Sequence, residues 1–111
     1  MTTITFMKLG NRIKITAHDH AYGSEMVCNA VSVMMFSLEA WLVSNPEMVK
    51  HHESEFKSGH AEIEFTPVEA EMYTILAFVI LALAEIELNY GRDFIALNVS
   101  EEIKELTGAR F

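Results

Sequence analysis

The feature that most constrains the fold is the change in the spacing of apolar residues along the chain. Between residues 2 and 17 apolar residues alternate with threonines and charged residues, which is typical of half-buried strands. Gly10-Asn11 between the two alternating stretches favours a tight hairpin turn. Further along, apolar residues recur at every third or fourth position, as on one face of a helix. The pattern predicts strands at 2–8 and 12–17, followed by a helix at 25–44.

The rest of the chain repeats this order of patterns. Ser58-Gly59 separates two stretches that predict a second hairpin, and Asn45-Pro46 marks the end of the helix before it. Thr66-Pro67-Val68-Glu69 has the form of a capping box with proline at the first helical position, and Gly91 is a typical helix end. We expect strands at 48–57 and 60–65, a helix at 67–90, a short strand at 94–99, and one or two helical turns within a charged tail at 100–111.

The element order ββαββαβ predicts an α+β fold with a mostly antiparallel sheet and two helices packed on one of its faces. A chain of 111 residues is of single-domain size, and no linker or repeat divides it, so we expect one domain over residues 1–111.

The second long helix is apolar on almost all sides between Ile75 and Ala84. In so small a domain one side of this helix has little to pack against, which favours a homodimer; burial within one subunit is the alternative. The ten-residue run is too short to span a membrane, which takes about 20 residues, so we expect a core helix and no membrane partner.

Charge and cysteine content limit the partners and the compartment. The formal net charge of −8 argues against binding nucleic acid and favours a basic protein or peptide, unless the charge serves solubility alone. The single cysteine cannot form an internal disulfide, and the N-terminus has no signal-peptide pattern, so we expect a cytoplasmic protein.

Cys28 follows Gly23-Ser24, at the predicted first turn of the first helix, with Ser24 as the expected N-cap. A helix N-terminus favours the thiolate, which is the nucleophilic form, and His18 or His20 could act as acid and base. This pattern indicates a candidate site for nucleophilic catalysis. Alternatively, Cys28 is a small buried apolar residue and the histidines, like His60 on the second hairpin, are solvated polar positions.

A metal site is a competing interpretation of the same residues. His18, His20 and Cys28 are suitable ligands, and Asp19 adds a carboxylate. The spacing is a weak match to known metal motifs, and we expect neither a metal nor another cofactor.

The segment Glu-Met-Val-Cys-Asn-Ala-Val-Ser at residues 25–32 resembles the signature of the Prp family of ribosomal-processing cysteine proteases, Asp-Ile-Val-Cys-Ala-Ala-Val-Ser at a helix start. Gly23 stands at the family's loop glycine, and residues 15–18 stand where a strand of the family ends in Gly-His-Ala. The hairpin at 58–61 and the segment 89–91 also look like their counterparts in the family.

The sequence departs from the family pattern around the histidine. Ala17 replaces the glycine, Asp19 the alanine, and Glu25 the aspartate. The loop before Cys28 is about two residues shorter than usual if His18 is the family's histidine, and about four shorter if it is His20. We favour His18, because it follows the strand directly and Ala17 continues the strand's alternation.

The resemblance implies a cysteine endopeptidase that removes the N-terminal extension of a large-subunit ribosomal protein precursor. Cys28 would attack the scissile carbonyl and His18 would carry the proton, with His20 as the alternative. Ser32, one turn after Cys28, and Gly23 would support the site. Phage structural proteins are an alternative substrate class. The altered residues around His18 also leave open a non-catalytic dimeric module that binds a basic partner.

Overall fold

The computed structural model describes residues 1–19 and 25–110, and these residues form five strands and three helices. A 3₁₀ turn at Pro46–Met48 follows the first helix. The strands are β1 (Thr2–Leu9), β2 (Arg12–His18), β3 (Val49–Lys57), β4 (His60–Pro67) and β5 (Ile95–Val99), and the helices are α1 (Glu25–Ser44), α2 (Glu71–Tyr90) and α3 (Glu101–Thr107).

The strands form one sheet in the order β3-β4-β2-β1-β5. β1 and β5 are parallel and the other neighbouring strands are antiparallel. The predicted α+β class, the element order and the mostly antiparallel sheet are therefore confirmed. The pairing of β2 with β4 sets His18 opposite His60 and Ala17 opposite Ala61.

One face of the sheet is buried and carries the helices. Alternating residues such as Ile15 on β2 and Ile63 on β4 are fully buried, and they share one hydrophobic cluster with Val31 of α1 and Leu76 of α2. Burial of this apolar surface is the main force that holds the helices to the sheet. The other face carries polar and charged side chains, so the alternation in the sequence separates core from solvent, as in antiparallel sheets with one wet face.

The predicted start of the second long helix is wrong. Thr66 and Pro67 belong to β4, where they pair with Lys50 and Val49 of β3, and α2 begins only at Glu71. Strand pairing thus outweighs the local capping-box pattern at this position. Within the described residues, the buried Thr66 hydroxyl has no hydrogen-bond partner, so it does not cap α2.

The charged tail contains α3, which confirms the one or two helical turns expected there. Ser100 caps α3 by accepting a hydrogen bond from the Ile103 backbone N–H, and Gly108 ends the helix in the left-handed conformation. Ile103 is buried in the common core and fixes α3 to the rest of the fold.

α1 is long and apolar enough, by length and composition, to cross a membrane, a property that core helices of soluble proteins share. Five of its residues are buried in the hydrophobic cluster: Val27, Val31, Met35, Leu38 and Leu42.

Candidate active site

Cys28 is the fourth residue of α1 and is half-buried. It lies in the first turn, at the end of the helix where the dipole favours negative charge. The first turn also contains Glu25, whose carboxylate is favoured at this end of a helix for the same reason.

A cavity of about 250 Å³ lies beside Cys28. α1 contributes Cys28, Ser32 and Phe36 to its walls, and the β3–β4 hairpin contributes Phe56 and His60. The cavity is smaller than pockets that enclose drug-sized molecules, and it suits a side chain of a bound peptide.

Ser32 lies one helical turn after Cys28, is exposed, and lines the same cavity. The structure therefore brings these two predicted site residues together on one face of α1.

An aromatic pair forms one wall of the cavity. The rings of Phe36 and Phe56 stack with their centroids 4.8 Å apart and their planes 20° apart. Phe36 is nevertheless 56 % exposed. The wall presents an apolar surface close to Cys28.

His18 is the last residue of β2 and lies on the outer face of the sheet, since Ala17 before it is buried in the core. Its ring contacts that of His60 across the β2–β4 pair, with a 2.8 Å distance between the two Nδ1 atoms. His18 is not among the residues that line the Cys28 cavity. His18 thus contacts a residue of the cavity wall, His60, but does not line the cavity itself.

Asp19, directly after His18, is held by hydrogen bonds of its backbone groups to the β3–β4 turn and to the start of β1. The Asp19 N–H donates to the Gly59 carbonyl, and the Asp19 carbonyl accepts from the Thr2 hydroxyl at 3.1 Å. Asp19 has a φ of 68°, the left-handed region that aspartate tolerates better than most residues, and it lines the cavity. These contacts hold the end of β2 against the β3–β4 turn.

His60 is the site residue that the sequence analysis missed. It lines the Cys28 cavity, contacts His18, and its Nε2 lies 3.3 Å from an Oε2 of Glu62. Alternation within β4 could have placed His60 and Glu62 on one face. The pairing of β4 with β2, which brings His60 to His18, has no local signal in the sequence.

Glu62 is held in its ionised form mainly by Lys14. The Lys14 ammonium lies 3.0 Å from Glu62 Oε1, and this hydrogen bond lowers the pKa of Glu62, with a smaller contribution from His60. The same contact raises the pKa of Lys14. Both side chains are partly exposed, so water screens the pair and the effect is modest.

Three sequence predictions lie outside the described residues: His20, Gly23 and the N-cap Ser24. Over residues 1–19 and 25–110, no three histidine, cysteine or acidic side chains are grouped so that they could hold a metal ion.

The family model for the cysteine protease Prp matches residues 1–95 of the chain. This match covers the cysteine, both candidate histidines, and the hairpin that carries His60. A search of curated proteins gave no match.

Two solved structures of the essential ribosomal processing protease Prp from S. aureus are similar to this fold. The complex with a covalently linked product peptide has a TM-score of 0.69 at 22 % identity, and the complex with a substrate peptide has 0.68 at 18 %. Each alignment covers 90 % of this chain and 100 % of the other. At these identities the similarity establishes the fold.

Proposed function

The chain belongs to the cysteine protease Prp family, and we propose that it removes the N-terminal extension from the precursor of a large-subunit ribosomal protein. The observation that carries this proposal is the position of Cys28, in the first turn of a helix and in the wall of a cavity that can take one side chain of a peptide. The similar S. aureus protein is a ribosomal processing protease whose structures contain a substrate peptide or a covalently linked product peptide, which supports the same substrate class here.

In the proposed reaction the Cys28 thiolate attacks the scissile carbonyl carbon. The resulting tetrahedral intermediate collapses to a thioester and releases the amine, which takes up a proton from the catalytic imidazole. Water then attacks the thioester, the imidazole accepts a proton from that water, and the thiolate is regenerated. Backbone N–H groups at the start of α1 can donate to the oxyanion, whose negative charge the helix dipole also favours.

We propose His18 as the imidazole of this reaction, with His20 as the alternative. His18 ends β2 next to Asp19, which lines the Cys28 cavity, and its ring contacts that of His60, which lines the cavity too. In the proposed reaction the His18 ring moves from the outer face of the sheet toward the sulfur. In this scheme Ser32 supports the site by donating a hydrogen bond to the bound peptide, and Gly23, at the position of the family's loop glycine, is a second supporting residue.

We propose that the protein acts in the cytoplasm, where its single thiol stays reduced. Its net charge of −8 favours encounter with a basic protein precursor and disfavours nucleic acid. No metal or other cofactor has a part in the proposed reaction.

We also propose a homodimer, formed through the exposed apolar side of α2. Phe78 is 72 % exposed and Leu81 is 41 % exposed, although both lie in the middle of the helix. Exposed apolar groups of this kind mark interaction surfaces. Sedimentation of the wild type as a dimer and of Phe78→Asp as a monomer would support this surface, and a monomeric wild type at micromolar concentration would refute it.

The substrate proposal is tested with ribosomal protein precursors from the same cell. Purified protein is incubated with each extended precursor, and the new N-termini are sequenced, with Cys28→Ala as the control. We expect one large-subunit precursor to be cut at a single bond by the wild type alone. Cleavage of phage structural proteins in preference to every ribosomal precursor would contradict the proposal.

A further inference from the structure

The rings of His18 and His60 contact each other through their Nδ1 atoms. The Nδ1 atoms of His18 and His60 lie 2.8 Å apart, and the ring centroids are separated by 4.5 Å. In a hydrogen bond between two neutral imidazoles one nitrogen carries the proton and the other accepts it. The tautomer of His18 is therefore tied to the tautomer of His60.

Glu62 determines which tautomer His60 adopts. Its Oε2 lies 3.3 Å from His60 Nε2, and an ionised carboxylate can only accept a hydrogen bond. Nε2 of His60 therefore carries a proton. In neutral His60 this leaves Nδ1 unprotonated, so that it accepts the Nδ1–H of His18.

The consequence for His18 is a free lone pair on Nε2. Either ring nitrogen of a histidine can take a proton from a thiol if its lone pair is free, and with the Nδ1–H of His18 donated to His60 the nitrogen left for this is Nε2. Through His60, the Glu62 carboxylate thus sets the tautomer in which His18 can act as a general base through Nε2.

Two further observations favour this arrangement. Lys14 contacts the other oxygen of Glu62 at 3.0 Å, so the carboxylate has a fixed position and stays ionised. The side chain of His60 is only 18 % exposed and lines the cavity beside Cys28, and its hydrogen bond to Glu62 is partly buried.

We propose that His60 and Glu62 are positioning residues that hold His18 in the tautomer with Nε2 unprotonated, as the reaction with Cys28 requires. This inference rests on the proposed function, in which His18 is the base. The two residues set this tautomer before the reaction, and when His18 accepts the thiol proton on Nε2, neither its own Nδ1–H nor the Nε2–H of His60 is transferred. Each proton except the transferred one keeps its place.

The tautomer is measured directly by ¹⁵N NMR of histidine-labelled protein near pH 8, with His18 assigned from the His18→Ala variant. We expect an unprotonated Nε2 on His18 in the wild type and a protonated Nε2 in a large fraction of His60→Ala. His60→Asn should restore the wild-type tautomer, because the asparagine Oδ1 lies near the position of Nδ1 and accepts a hydrogen bond. An unchanged His18 tautomer in His60→Ala would overturn the inference.

Peptide cleavage provides the second measurement. His60→Ala and Glu62→Ala should each lower kcat about tenfold with little change in KM. This is the loss of activity expected when a functional histidine loses the hydrogen-bond partner that orients it. Glu64→Ala is the matched control, since Glu64 has the same charge on the same face of β4 and pairs with Arg12 instead. Equal losses in Glu62→Ala and Glu64→Ala would count against a specific role. The NMR result needs no turnover, so it decides this inference even if the proposed substrate is wrong.

Discussion

The ring of Phe36 on α1 stacks on the ring of Phe56 on β3, with 4.8 Å between their centroids, and the pair forms an apolar wall of the cavity beside Cys28. The contact joins the helix that carries the nucleophile to the hairpin that carries His60. It therefore fixes the width of the cavity as well as its apolar character.

Replacing Phe36 by alanine should weaken peptide binding without removing the catalytic groups. We expect KM to rise about three- to tenfold, because the peptide loses apolar contact with the Phe36 ring, with kcat changed little. Steady-state kinetics on a peptide substrate measure this effect. Val33→Ala is the control, because Val33 is exposed on α1 and does not line the cavity. A KM that is the same in Phe36→Ala as in Val33→Ala would contradict the assignment of the wall.

The change in unfolding free energy on replacing Thr66 by valine has opposite signs for Thr66 in β4 and for Thr66 as a cap of α2. Its hydroxyl is buried in β4 with no partner among the described residues, so Thr66→Val should raise the free energy of unfolding by about 1 kcal/mol. If Thr66 capped α2 instead, the same change would lower it by about 1 kcal/mol. Urea unfolding of the two proteins distinguishes these outcomes by sign alone.

The sequence patterns that predicted the fold correctly are local ones. The helix expected at 25–44 coincides with α1, and the turn at Gly10 adopts the left-handed φ of 66° that the Gly10-Asn11 pair indicated. Periodicity and turn chemistry depend on neighbouring residues, so one sequence suffices to read them. The capping box failed because pairing of Pro67 with Val49, a contact across 18 positions, decides where β4 ends.

The site could be predicted only in part, for the same physical reason. The position of Cys28 in a first turn and the presence of Ser32 one turn later follow from helical spacing within α1. The contact between His18 and His60 depends on β4 pairing with β2, which are separated by a helix and another strand. Long-range pairing of this kind leaves no mark in the residues around either histidine.

The choice between His18 and His20 is tested by comparing two variants. His18→Ala should lower kcat/KM by about 10²–10⁴, the typical contribution of a general base, while His20→Ala should change it little. Peptide cleavage assays of both variants, with circular dichroism to verify folding, measure the difference. The reverse ranking would assign the base to His20 and contradict our choice of His18.

Stability in acid should depend on Glu62. Its pKa is lowered in the folded protein, chiefly by the hydrogen bond from Lys14, so the folded state holds fewer protons than the unfolded state. The stabilising contribution is thus present above the ordinary value of 4.5 and is lost as the pH falls through the lower folded pKa. The urea midpoint of Glu62→Gln should lie below that of the wild type at pH 7, and the gap should shrink near pH 3.

Glu55→Gln is the control for this measurement. Glu55 pairs with Lys57 at 3.0 Å, but both side chains are more than half exposed, so the pair contributes little to stability. We expect its urea midpoint to stay close to that of the wild type at both pH values. A gap for Glu62→Gln that is equal at pH 7 and pH 3 would show that the Lys14 contact does not act through ionisation.

The measurement that tests the role of Cys28 most directly is alkylation of its thiol by iodoacetamide, followed by mass spectrometry and by peptide cleavage on the same samples. The chain has a single cysteine, so the modified fraction reports on this sulfur alone. We predict that proteolytic activity falls in proportion to the alkylated fraction and that a bound peptide slows both losses. Fully alkylated protein that still cleaves its peptide would contradict the assignment of Cys28 as the nucleophile.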